Sequence, residues 1–171
     1  MSIRMRKETL EAIKLHGEET YPNECCGFLL GKVEDNSNRL EELYRAENEW
    51  PKDEPKAGKA GQSASDRQPE ENQDSFVTRK LESQRNRYLI TAEQWRQADG
   101  YARAKGLGII GYYHSHPDHP AAPSGYDLDH SCWPGESYII VAVEKGKAEA
   151  VNSYTKPDYT KFEQEEIIVE T

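Results

Sequence analysis

His114 and His116 stand one residue apart in the segment GYYHSHPDHPAAPSGYD, at the end of an apolar run. Successive side chains alternate along an extended chain, so both imidazoles can face one ion. Neutral imidazoles suit zinc, and a catalytic zinc site takes three protein ligands while leaving its fourth position open. Asp127 is the best third ligand, because Pro117, Pro120 and Pro123 bound a tight loop that can fold the chain back toward the histidines. Ser124 lies three residues earlier on the same expected helix face and can reach the same site. Its hydroxyl can donate to the oxyanion of a tetrahedral intermediate. None of the three ligands is free to carry a proton from the attacking water to a leaving amine, so a separate carboxylate is required. Glu24, immediately before an apolar run, is the candidate.

Each residue also has a plainer reading. His-x-His pairs arise by chance, and Ser-x-x-Asp is the pattern of a capping box, in which Asp127 would only satisfy backbone donors. His119 and His130 read as surface residues or neighbours of the site, and His16 as solvated on the first helix. Cys25, Cys26 and Cys132 cannot build a disulfide framework and are expected to be reduced, with the adjacent pair packed in the core.

The elements that must carry these residues follow from pattern. Lys7 to Glu19 predicts an amphipathic helix through Leu10, Ile13 and Leu15. Cys25 to Gly31 reads as a buried central strand and Arg39 to Ala46 as its hairpin partner, with turn chemistry at Asp35, Asn36 and Ser37. From Glu47 to about Arg87 the chain is polar and rich in Pro, Gly, Ser and Gln, too poor in apolar residues to build a core, and is expected to be a mobile insertion. Tyr88 to Ile90 is expected as a short strand. Thr91 and Gln94 then form a capping box for a helix from Ala92 to about Ala104, stopped at Lys105 and Gly106. Leu107 to Tyr113 predicts the strand that delivers the histidines, and Ser124 to Cys132 a short helix. Tyr138 to Val143 pairs with Ala148 to Tyr154 through a turn at Gly146. Phe162 to Val169 is an edge strand or a helix, its pattern fitting either.

At 171 residues one domain is expected, spanning the whole chain. A net charge of -9 repels phosphate backbones and disfavours nucleic acid, leaving a partner with a basic face as the natural alternative. The N-terminus lacks a signal-peptide pattern and no stretch is long enough to cross a bilayer, so a cytoplasmic protein with no membrane association is expected.

The order His114, Ser115, His116, seven residues, Ser124, two residues, Asp127, with Glu24 upstream, resembles the signature of the JAMM (MPN+, Mov34/PAD-1) metalloproteases. The segments PNECCGFLLG and WPGESYIIV are similar to bacterial members. The resemblance covers residues 5 to 46 and 88 to 155. It implies a cytidine-deaminase-like α/β fold, a central mixed sheet flanked by helices. It also implies Zn2+ on His114, His116 and Asp127, with Glu24 as acid/base and Ser124 at the oxyanion. Ser115 fills the small position between the histidines and takes no catalytic part. The implied reaction is cleavage of a peptide or isopeptide bond at the C-terminal Gly-Gly of a ubiquitin-like or sulfur carrier protein. The insertion departs from the compact bacterial pattern, and as a lid or clamp it would raise affinity for that partner. A non-catalytic MPN-type scaffold or binding module is the alternative. A deaminase would need His-x-Glu and Pro-Cys-x-x-Cys, which this sequence lacks. The acidic charge and the Glu-Cys-Cys-Gly segment disfavour a RadC-like relative.

Overall fold

The computed structural model describes residues 1–52, 82–131 and 133–170. Strand β1 (Ser2–Arg6) runs directly into helix α1 (Lys7–Thr20), and β2 (Cys26–Glu34) and β3 (Ser37–Ala46) form a hairpin. Helix α2 (Ala92–Ala104), strand β4 (Gly108–Pro117) and the short helix α3 (Gly125–His130) follow, then β5 (Ser137–Glu144), β6 (Lys147–Thr155) and β7 (Glu163–Glu170). The strands lie in the order β1-β3-β2-β4-β5-β6-β7, and β1 also pairs with β7. The mixed sheet therefore closes into a barrel, where the resemblance implied a central mixed sheet flanked by helices.

Two segments account for that difference. β1 carries no strong strand pattern of its own, and Phe162 to Val169 had fitted either an edge strand or a helix. Paired in parallel from Ser2↔Glu166 to Arg6↔Glu170, they cover both edges that an open sheet would leave. α1 packs against β1, β3, β4, β5, β6 and β7, whereas α2 packs against β2 and β4.

The apolar run of β2 is buried on both faces, as a continuous run of this kind requires. Cys25 and Leu29 join Ile13, Ile110, Tyr113, Ile139 and Val141 in the larger core. Phe28 and Leu30 join Ala98 and Ala102 of α2 on the other side. The buried face of α1 is Thr9, Ile13, His16 and Gly17, a helical repeat that leaves Leu15 on the exposed side. At α2 the expected capping box forms: the Gln94 amide donates to Thr91 Oγ1 at 3.3 Å, and Thr91 N donates to Gln94 Oε1 at 2.9 Å. Gly106 beyond it has φ 69°, a conformation suited to glycine. Lys156, 2% exposed, donates to the Leu128 carbonyl and the Ser131 hydroxyl and so closes the C-terminal end of α3.

Three expectations need correction. Tyr88 to Ile90 is not a strand: Leu89 N donates to the Asn48 side chain and Leu89 O accepts from Glu49 N, with no ladder beyond these bonds. The third helix stops at His130, and Cys132 lies outside the described residues. His16 is not solvated. It is 9% exposed and its Nδ1 lies 2.8 Å from the Tyr113 hydroxyl, whose ring sits over Gly27 so closely that a Cβ there would come within 2.4 Å of it.

Burial, with the charge of Arg45 adding to it, lowers the His16 pKa to about 4. The unfolded chain then takes up a proton near the ordinary value of 6.5 that the folded chain refuses, so stability falls as pH drops from 6.5 toward 4. Wild type should lose about 1 kcal/mol more than His16→Gln between pH 7.5 and 5.5. Urea unfolding at the two pH values measures the difference, and equal losses would place the ring in solvent-like surroundings.

Cys25 and Cys26 are buried in the core as expected, and burial pushes the Cys25 thiol up to about 12 and that of Cys26 higher still. Thiols held in that form are poor nucleophiles. Most of the expected insertion, residues 53–81, lies outside the described residues, and the lid reading with it. No helix among the described residues is long and apolar enough to cross a membrane.

Candidate metal centre

β4 extends four residues further than the predicted strand, so His114 and His116 lie within it rather than beyond its end. On one side β4 pairs with β5, His114 opposite Ile140 and His116 opposite Ala142. On the other it pairs with β2, Cys26 opposite His114. This double pairing holds both imidazoles on one face by the alternation of the strand. Their Nε2 atoms are 3.0 Å apart.

The loop after β4 brings α3 back to this face. His114 Nε2 lies 3.1 Å from Asp127 Oδ1 and His116 Nε2 3.5 Å from Asp127 Oδ2, with all three residues buried. The capping-box reading of Ser124 and Asp127 holds, and the cap uses the Asp127 oxygen that faces His116. Asp127 Oδ2 accepts from Ser124 N and from the Ser124 hydroxyl, each at 2.6 Å, while Ser124 Oγ accepts from Asp127 N at 3.2 Å. The cap thereby fixes the carboxylate that faces the histidines.

His114, His116 and Asp127 form a group whose ligating atoms lie within 4.8 Å of one another, and it could hold a metal ion. Atoms bound tetrahedrally to zinc at its usual bond lengths are about 3.3 Å apart, a spacing that the three observed separations bracket. The outer contacts suit the same purpose. His116 Nδ1 lies 2.8 Å from the Pro120 carbonyl, so its proton belongs there and the Nε2 lone pair faces the group. Tyr88 stacks on the His114 ring with centroids 4.7 Å apart.

Charge is arranged accordingly. Burial lowers the pKa of His114 against the pull of Asp127, which favours the neutral imidazole. At His116 burial acts in the same direction, but the Asp127 hydrogen bond, the Glu24 charge and the Pro120 carbonyl outweigh it and raise the pKa. Burial also disfavours the Asp127 carboxylate, yet His114, His116 and the Ser124 hydroxyl hold it well below the usual carboxylate range.

Glu24 precedes β2, and the ladder continues past the strand's formal start: Ser115 N donates to Cys25 O at 3.1 Å. Continuing the antiparallel register by two residues from Cys26 and His114 sets Glu24 opposite His116, on the same face. Glu24 is 5% exposed and lines a cleft of about 350 Å³ with His116 and Ser124. Burial, reinforced by Asp127 and opposed by His116 and Arg87, pushes its carboxyl up to about 8. Ser115 points away from this chemistry: its Oγ accepts from Cys25 N at 2.8 Å and ties β4 to β2. His119 and His130 are exposed and lie outside the triad.

The flanks of the insertion hold Glu24 in place, a role that sequence pattern did not reveal. Glu24 N donates to Gln84 O, and Glu24 O accepts from Asn48 Nδ2. Asn48 also donates to Arg87 O, and Gln84 Nε2 donates to the carbonyls of Asn48 and Trp50. The only available sequence signal was an isolated Asn and Gln at the borders of a polar stretch.

Comparison with known proteins agrees with this arrangement. A profile of prokaryotic homologs of the JAB domain matches residues 6–155. A protein from Salinibacter ruber, solved in solution, is 35% identical, with 99% of this chain and 92% of that one covered and a TM-score of 0.65. A protein from Desulfitobacterium hafniense is 24% identical over 98% of this chain and 92% of that one, with a TM-score of 0.70. Among curated proteins none matches. With strands β2 to β6 and every residue of the triad inside the matched span, the chain belongs to the family of prokaryotic homologs of the JAB domain.

Proposed function

We propose that this chain is a zinc-dependent hydrolase that cleaves a peptide or isopeptide bond at the C-terminal Gly-Gly of a ubiquitin-like or sulfur carrier protein. The observation that carries the reading is the convergence of two imidazole nitrogens and a carboxylate beside a buried glutamate that is not one of the three. A structural cluster would have no need of that fourth group, whereas hydrolysis requires it. The partner class comes from the family resemblance and suits the acidic chain, which favours a partner with a basic face.

His114, His116 and Asp127 would hold the ion. When bound, zinc supplies Lewis acidity that polarises the scissile carbonyl and makes water a stronger acid. Glu24 takes the proton of the attacking water and returns it to the leaving amine. Its raised pKa suits a group that must both accept and give a proton near neutrality. Ser124 Oγ lines the cleft, and to serve an oxyanion it must turn its proton away from Asp127.

The direct test is to measure metal content of the purified chain and its cleavage of a fusion joined after the Gly-Gly of such a carrier, with and without a chelator. Bound zinc with no cleavage of any fusion would favour the non-catalytic binding module. Ser124→Ala should reduce kcat by roughly 100-fold while costing about 1 kcal/mol of stability through the lost cap. Steady-state kinetics and thermal unfolding separate the two, and an unchanged kcat would leave Ser124 only its capping role.

A further inference from the structure

Lys156 directly follows β6 and is 2% exposed. A lysine so deeply buried ordinarily faces a carboxylate, because an ammonium taken out of water is costly unless an opposite charge answers it. This one faces neutral oxygens. Nζ donates to Leu128 O at 3.1 Å, to Ser131 Oγ at 2.9 Å and to Ser131 O at 3.4 Å, and it lies 5.5 Å from the centre of the Phe162 ring. Each of these oxygens belongs to the C-terminal end of α3 or to Ser131, the residue that caps it. The Lys156 backbone is tied nearby, its carbonyl accepting from Gly135 N at 3.0 Å. An apolar side chain would fill this position without the desolvation cost, so packing does not account for an ammonium here.

What the ammonium holds is the helix that carries Asp127. α3 has six residues, well short of the length at which a helix persists by itself. The Ser124–Asp127 cap closes its first turn but bonds the helix only to itself. Lys156 bonds it to the end of a barrel strand. The link to the metal group is short: Leu128 follows Asp127 in the chain, and Ser131 N donates to Asp127 O at 2.9 Å, so the two residues that Nζ grips both adjoin the Asp127 backbone. We propose that Lys156 is a positioning residue for the metal centre: its ammonium clamps α3 to the end of β6 and thereby sets Asp127 against His114 and His116. The inference rests on the metal-centre reading, and Lys156 is not itself one of the ligating group. A carboxylate already held in place gives up little freedom when an ion binds, whereas one on a loosely seated helix must be ordered by the ion at a cost in affinity.

The test compares the full wild-type chain with Lys156→Met, using Zn2+ and Co2+ as probes. Methionine keeps a long apolar body and removes the ammonium. Zinc affinity, measured by chelator competition, should fall by about 10-fold, the low end of the loss expected when an outer contact to a ligand is removed. The visible absorption of bound Co2+, which reports the number and geometry of its ligands, should weaken as Asp127 leaves its place. A role confined to fold stability would lower the urea midpoint and leave affinity and spectrum at wild-type values, and that result would overturn the proposal. Ser131→Ala is the second variant, since Ser131 is half-buried and its hydroxyl makes the shortest of the three contacts. Its zinc affinity should lie between those of wild type and Lys156→Met. Should Lys156→Met not fold, wild-type affinity in Ser131→Ala overturns the clamp. Wild type that bound neither ion would overturn the metal-centre reading, and the clamp with it.

Discussion

Replacing Glu24 with glutamine should lower kcat by about 1,000-fold while leaving the metal content unchanged. The substitution is nearly isosteric, and it removes the one carboxylate that lines the cleft among the described residues. Glutamine can still accept and donate hydrogen bonds, but it cannot take a proton from water and pass it to an amine. Folding should not suffer. Burial already pushes the Glu24 carboxyl up to about 8, so near neutrality a neutral group at this position resembles what the fold prefers. Its backbone bonds to Gln84 and Asn48 do not involve the side chain. Single-turnover kinetics with elemental analysis of the same sample decides the point. Full activity in the glutamine variant would remove Glu24 from the chemistry.

The second large effect belongs to Asp127. Asp127→Asn should weaken zinc binding by more than about 100-fold, beyond what loss of an outer contact to a ligand costs, and activity should fall with it. The variant keeps an oxygen able to accept from Ser124 N, so α3 can retain its cap while the negative charge and one strong ligand are lost. This separates the observed cap from the proposed metal ligation. Competition against a chromophoric chelator gives the affinity, and circular dichroism reports the helix. Zinc binding that survived in the asparagine variant would reduce Asp127 to a capping residue and leave the histidines without their third partner.

Much of the local structure was legible because it depends on short-range physics. The capping box at Thr91 and Gln94, the hairpin of β2 and β3, the two-faced burial of Cys26 to Leu30 and the turn at Gly146 are each set by residues a few positions apart. The His-x-His spacing required both rings to share a face once the segment was extended, and the Ser-x-x-Asp spacing required a reciprocal cap once it was helical.

Long-range pairing was not legible. β1 is five residues long, and its role emerges only beside β7, more than 150 residues away, where backbone bonding closes the sheet. His16 looked like one more polar residue on an amphipathic helix until the fold placed the Tyr113 hydroxyl against its ring. The hold of Lys156 on α3 and the grip of Asn48 and Gln84 on Glu24 likewise have no local pattern. By itself the sequence determined which residue types could bind an ion and move a proton, because ligand chemistry and side-chain periodicity are local properties. Only the tertiary structure decided that His114, His116 and Asp127 meet while Glu24 stands beside them, because that depends on β2 and β4 lying in register across the sheet and on the proline loop returning α3 to the same face.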